Sequence, residues 1–182
     1  MRDNRLRKLL DALTAAQRVG SPDADVTVVE FFDYNCGYCR AAVEGLETVV
    51  RNDPKVSLLL VHTPILAPGS LEAAALQQAV YRRHGASHAH DLHLALYRMR
   101  GLVDGARVRS SVDPALLDGL SAHDVGAATD EVLQLRRAAA EFGVRAVPTF
   151  VAGETLFIGW PGRTALAAMV ESARRCGQAM CG

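Results

Sequence analysis

Residues 26–46 read VTVVEFFDYNCGYCRAAVEGL, and the change of period inside this stretch decides the fold. From Val26 to Phe32 the residues are β-branched or aromatic with almost no polar alternation, as a central strand covered on both faces requires. From Gly37 the apolar positions move to helical spacing, with Val43, Leu46, Val49 and Val50 on one face. Cys36 and Cys39 therefore stand at a strand-to-helix junction. Unpaired backbone N–H groups and the positive end of the helix dipole meet there, and both favour a thiolate. A thiolate is the nucleophile of disulfide exchange. Cys36 is expected to attack, and Cys39, one turn on and less exposed, to resolve. Two other readings compete. Half a metal site needs two more soft ligands, and Cys176 and Cys181 lie at the chain end with a C-x4-C spacing looser than a zinc knuckle prefers. A purely structural disulfide is the blander reading, but a short C-x-x-C loop at a helix start is usually reactive. The redox reading is preferred.

Outward from the pair, Asn52-Asp53-Pro54 ends the helix and residues 56–61 form a second buried strand. This is a βαβ unit, so the two strands are parallel. The next stretch holds no convincing strand. Helices are expected from Ser70 to about His84, from Ser87 to about Met99 and from Asp113-Pro114. A fourth is expected to break near Gly126 and run to Phe142, with Gly143 as its left-handed cap. Residues 148–152, a Gly153-Glu154 turn and residues 155–158 read as a β-hairpin, and residues 163–174 as a last helix. Leu6, Leu9, Leu10 and Leu13 predict a short helix over about 4–17, broken at Gly20-Ser21-Pro22-Asp23. The fold class is α/β: one mixed sheet flanked by helices, with a helical insertion. The expected division is 1–20 as an N-terminal helix and extension, 21–63 and 143–175 as the two parts of the sheet domain, 64–142 as the insert and 176–182 as a tail.

Composition narrows the function. The chain has 182 residues, 49% of them hydrophobic, which suffices for one buried core. Lys+Arg and Asp+Glu both number 20, so there is no basic excess for nucleic acid. No apolar run approaches the roughly 18 residues of a membrane span. The N-terminus is basic but lacks an apolar core and a small-residue cleavage site, so it does not read as a signal peptide. Four cysteines allow three pairings, of which 36 with 39 and 176 with 181 is the simplest.

Three segments, VTVVEFFDYNCGYCR at 26–40, PILAPGS at 64–70 and GVRAVPTFV at 143–151, together resemble the DsbA-like thioredoxin-fold family, nearest its DsbA/Com1/ScsC-like branch. The resemblance runs from about Ser21 to Ser172. It implies a thioredoxin-like fold with a helical domain inserted before the last ββα unit, and a cis peptide at Pro148 facing the cysteines. Tyr38, Val147, Pro148 and Thr149 would then bind substrate, the Val147 backbone pairing with an extended chain. Glu30, the odd residue in an apolar strand, matches an acid that lies under the resolving cysteine and assists proton transfer. The plainer reading is a strand-end glutamate reaching a surface arginine. Relatives often carry a charged pair just before Pro-Ile-Leu. This chain has Val61-His62, which makes His62 a candidate partner for Glu30.

The implied activity is thiol–disulfide exchange with protein thiols and disulfides, as a dithiol oxidase served by a quinone-linked membrane partner. No cofactor, metal or nucleic acid is implied, the chain is expected to be a monomer or at most a weak dimer, and the location is periplasmic or exported by family habit. A cytoplasmic location also fits the residues. The strongest oxidants of the family carry Pro-His between the cysteines. Gly37-Tyr38 supplies no such charge, so a milder oxidant is expected, and isomerases or reductases kept reduced by a membrane donor share this dipeptide. A different class, a copper- or zinc-handling protein, would use His84, His88, His90 and His93, against the plainer reading of a partly solvated helix with histidines on its border. Cys176 and Cys181 lie outside the family pattern, as a local tether, free thiols or a second relay. Trp160 reads as packing.

Overall fold

The computed structural model describes residues 4–181, and side chains from Arg7. Five strands form one mixed sheet in the order β1-β3-β2-β4-β5: β1 (Gln17–Gly20), β2 (Val26–Phe32), β3 (Val56–His62), β4 (Thr149–Ala152) and β5 (Thr155–Ile158). β2 and β3 are parallel, Val26 opposite Val56 through Phe32 opposite His62, and every other pairing is antiparallel. The crossover between them is α2 (Gly37–Asn52). Between β3 and β4 run α3 (Pro68–Arg98), α4 (Gly105–Ser111), a 3-10 turn (Pro114–Leu117) and α5 (Ala122–Phe142). α1 (Asn4–Ala12) precedes the sheet and α6 (Arg163–Cys176) follows it.

β2 is buried on both faces, which is why it reads as a continuous apolar run. Val29 and Phe31 join Leu9, Leu13, Leu135 and Ala139 under α1 and α5. Val28 and Phe32 join Leu46, Val49, Leu166 and Val170 under α2 and α6. Each such side chain contributes about 1.5–3 kcal/mol by leaving water. Alternation then places Glu30, between Val28 and Phe32, on the α2 face.

Trp160 packs as expected, its ring 6.0 Å from that of Phe150. It also lies over α2 at Gly45, where a Cβ would stand 2.3 Å from Trp160 Cζ2. Gly45→Ala is therefore expected to destabilise by about 1–3 kcal/mol from overpacking, although alanine gains about 1 kcal/mol in a helix interior. Urea midpoints of the two proteins measure this.

Several expectations need correction. The N-terminal helix stops at Ala12, and residues 17–20 pair with β3 as an edge strand, Gln17 opposite Leu60. Leu9 and Leu13 are buried and Leu10 is exposed; the side chain of Leu6 and residues 1–3 fall outside the described residues. The two helices expected over 70–99 are both present, as the two halves of α3 on either side of Gly85, whose φ of 84° breaks the helical run. The N-cap of α3 is Ala67, with Pro68 in the first turn, not Ser70. Asp113-Pro114 starts only a 3-10 turn, and α4 lies before it. α5 passes through Gly126 unbroken, starting from a Ser121–Asp124 capping box. Its end matches the expectation, with Gly143 left-handed at φ 100°.

Candidate active site

β2 ends at Phe32, and a three-residue turn of Asp33, Tyr34 and Asn35 carries the chain to α2. Cys36 is the N-cap. Its sulfur accepts the Cys39 backbone N–H at 3.1 Å, the bond that a serine or aspartate oxygen makes at other helix starts. Both cysteines are thiols here, the reduced form of the pair. Cys36 is 3% exposed and Cys39 fully buried, so the difference in access is smaller than the sequence led one to expect.

The two sulfurs are pushed apart in acidity. The Cys39 side chain, hydrogen-bonded to Cys36, lowers the Cys36 pKa to about 7, against burial, which opposes ionisation. The backbone N–H groups of Cys39 and Tyr38 add to the lowering, and the Asp33 carboxylate works against it. Burial raises the Cys39 thiol far above its ordinary value, helped by the bond to Cys36 and the charge of Glu30. The thiolate thus resides on Cys36.

Glu30 is 1% exposed, and its Oε1 has no hydrogen-bond partner among the described residues. Burial first, and the Cys36 charge second, push its carboxyl up to about 8. It makes no ion pair with a surface arginine among the described residues. His62 does not serve it either: His62 is buried, and its Nε2 meets Gln77 Oε1 at 2.7 Å. Burial lowers the His62 pKa to about 4, so it stays neutral.

The Val147–Pro148 peptide is cis. The Cys36 thiol donates to the Val147 carbonyl at 3.4 Å, which brings a segment 111 residues distant in sequence onto the sulfur. Thr149 is buried and its hydroxyl donates to the Ala146 carbonyl at 2.7 Å, so its side chain closes the loop rather than facing outward. Tyr38 is 74% exposed beside the pair.

The histidines are dispersed. His93 is not on the border of its helix but buried against Phe32, with Nδ1 3.1 Å from the Tyr34 hydroxyl. His90 stacks on His93 and lies 3.0 Å from the Glu47 carboxylate. His84 Nε2 is held by the Asp118 carbonyl at 2.8 Å, with His88 beside it. Among the described residues no three histidines, cysteines or carboxylates gather as a metal centre would require.

Cys176 and Cys181 form a disulfide. Cys176 is the last residue of α6, not beyond it. The looped tail folds onto the β4–β5 turn: the Gly177 carbonyl accepts from Glu154 N–H at 2.8 Å, Ala179 N–H donates to Thr155 Oγ1 at 3.0 Å, and Ala179 is buried. That turn lies at the end of the sheet away from Cys36, next to the Ala152–Val28 pair.

Four residues around the pair were not singled out from sequence: Asp33, Tyr34, Asn35 and Val103. Asp33 and Asn35 did leave a signal, a polar Asp-x-Asn at a strand end. Asn35 N–H donates to Asp33 Oδ1 at 2.8 Å, an Asx turn.

A thioredoxin family model matches residues 14–172. The chain belongs to the thioredoxin family. Among solved structures, a thioredoxin-like oxidoreductase from Silicibacter pomeroyi DSS-3 is 32% identical, with 91% of this chain and 98% of that one covered and a TM-score of 0.78. The catalytic domain of Proteus mirabilis ScsC is 22% identical, covering 94% of this chain and 97% of its own, with a TM-score of 0.84. The thiol-disulfide exchange protein alpha-DsbA2 from Wolbachia pipientis is 23% identical, with 92% and 93% covered and a TM-score of 0.78. The latter two likenesses speak to the fold, which is thioredoxin-like as the sequence resemblance implied. A search of curated protein sequences finds no match. Among the described residues of this thioredoxin-family chain, no helix is long and apolar enough to cross a membrane.

Proposed function

We propose that the protein is a thiol–disulfide oxidoreductase of protein substrates, working as a DsbA-like dithiol oxidase with Cys36 as nucleophile and Cys39 as resolving thiol. The observation that carries this reading is the Cys36 sulfur at the mouth of α2, bonded to the Cys39 N–H and abutting the Val147 carbonyl. In the oxidising direction a substrate thiolate attacks Cys36 Sγ of the Cys36–Cys39 disulfide. The S–S bond breaks, Cys39 leaves with the electron pair and takes up a proton, and a mixed disulfide stands on Cys36. A second substrate thiolate attacks the substrate sulfur of that bond, and Cys36 leaves as thiolate. Two electrons pass from the substrate thiolates to the pair, and one proton is taken up at Cys39. Glu30 is read as the group that takes and returns the Cys39 proton, and the Val147 main chain with Tyr38 and Pro148 as the surface for the substrate backbone, buried Thr149 closing the loop behind it. A membrane redox partner, quinone-linked, is read as restoring the disulfide, in a periplasmic or exported location, with the protein a monomer.

One observation favours a second direction. An attacking thiol works best when its pKa is near the ambient pH, and Cys36 sits at about 7. At pH 7 half of it is ionised. Relative to an ordinary thiol this favours the dithiol only slightly at neutral pH. That is the poise of a reversible exchanger, and an isomerase or reductase kept reduced by a membrane donor uses the same chemistry.

Two measurements test these readings. Thiolate absorbance of the reduced protein is expected to rise with a midpoint near pH 7, and the dithiol form to gain stability relative to the disulfide form as pH climbs from there towards 9. A midpoint at the ordinary cysteine value would remove the basis for Cys36 as nucleophile. Parallel assays of insulin reduction and of reactivation of reduced ribonuclease then sort the direction.

A further inference from the structure

The exchange chemistry proposed above uses one pair of sulfurs and leaves the other unexplained. Cys176 is exposed at the end of α6, and its bond to Cys181 loops the uncharged residues Gly177 to Met180 over the β4–β5 turn. The loop is lightly seated. Ala179 is buried, while Gln178 and Met180 are exposed and Cys181 is half-buried. Once reduced, this is a short segment near the chain end that carries two thiols and little to hold it down, which is what a thiol–disulfide oxidoreductase acts on.

The two pairs do not meet within one chain. Cys36 caps one end of α2 and Asp53 the other, and the 16 residues between them set the caps about 24 Å apart. Arg174, two residues before Cys176, donates from Nη2 to Asp53 Oδ2 at 2.9 Å and from Nε to Asp25 Oδ2 at 2.9 Å. The end of α6 is thus fixed at the far end of α2. Closing the tail needs both of its sulfurs at Cys36, because the one that attacks there must then be attacked by the other. Cys176 stays with α6, and the five residues from it to Cys181 span at most about 18 Å when fully extended. A second copy has no such restriction. Cys176 lies at the surface, and the chain has no net charge, so two copies approach without long-range repulsion.

We infer that the tail of this chain is a substrate of a second copy, the Cys36–Cys39 disulfide of one molecule closing the Cys176–Cys181 disulfide of another. Cys181, free of the helix, attacks Cys36 Sγ of the other copy as a thiolate. The Cys36–Cys39 bond breaks, and Cys39 leaves with the electron pair and takes up a proton. The Cys176 thiolate then attacks Cys181 Sγ, the bond between the two chains breaks, and Cys36 leaves as thiolate. Two electrons pass from the tail of one copy to the pair of the other, and the molecules part as monomers. This rests on the exchange activity proposed above and names one substrate of it.

The test mixes two full-length variants. The acceptor, Cys36→Ser/Cys39→Ser, keeps only the tail cysteines and is used with these reduced. The donor, Cys176→Ser/Cys181→Ser, keeps only the pair at α2 and is used oxidised. Alkylating the free thiols at timed intervals and weighing the acceptor separates open from closed tails. Closure is expected to be first order in donor and at least about tenfold faster than with oxidised glutathione at the same concentration, because Cys36 leaves more readily than an ordinary thiol. Closure no faster than with glutathione, by a donor that does exchange with reduced ribonuclease or with glutathione itself, overturns the inference and leaves the exchange activity standing. A donor that reacts with none of the three overturns that activity. Cys36→Ala/Cys39→Ala serves as the acceptor should serine at these buried positions unsettle the fold.

Discussion

Cys36→Ser is expected to lower the rate of exchange with a protein disulfide by at least about a thousandfold, because a hydroxyl has neither the acidity nor the nucleophilicity of the thiolate. Cys39→Ser should behave differently. Cys36 keeps its N-cap position and the Cys39 N–H, a main-chain donor that serine also supplies, so the first attack survives. What is lost is the resolving sulfur, buried beneath and held protonated. A mixed disulfide between Cys36 and substrate should therefore accumulate, visible as a mass shift that a reductant removes. If Cys36→Ser retained wild-type exchange, or if Cys39→Ser trapped nothing, the division of labour between the two sulfurs would be wrong.

The second large effect concerns Glu30. Its carboxyl, pushed from 4.5 to about 8 chiefly by burial, gives a definite sign. Below pH 4.5 folded and unfolded chains both hold the proton. Between there and pH 8 the unfolded chain ionises while the folded one keeps its proton, so stability falls as pH rises. The loss is on the order of 3–5 kcal/mol by pH 8.5. Glu30→Gln removes it, so the variant should overtake the wild type as pH rises. The comparison belongs in the oxidised protein, where Cys36 carries no charge and its own opposite dependence is absent. Urea unfolding of both proteins at pH 5 and 8.5 measures the difference. Curves that stay parallel would show that Glu30 is already ionised in the fold.

The parts of this site readable from sequence are those encoded by neighbours in the chain. The strand-to-helix switch at Cys36 is a change of period within one stretch, and the Val-Pro-Thr-Phe segment stands out through its resemblance. The parts that escaped depend on distant partners. Nothing local distinguishes His93 from a border histidine; its burial follows from Tyr34, 59 positions away, whose hydroxyl meets it. Asn35 reads as a turn residue because its partner Val103 is 68 positions off. β1 was lost for another reason. Its four residues, QRVG, are too short and too polar to read as a strand, and their pairing with β3 supplies what the sequence pattern lacks. Gly126 looked like a break but has open space around it; a single helical glycine costs only about 1 kcal/mol, which packing along α5 outweighs.

The looped tail has a practical consequence for anyone counting electrons in this molecule. A dithiol reagent can act on two sulfur pairs at opposite ends of the sheet, so complete reduction takes up four electrons per chain, not two, and liberates four titratable groups. A Nernst curve fitted to the whole protein would blend two midpoints into one shallow slope. Only a chain with serines at 176 and 181 reports the potential of the pair at the helix mouth by itself.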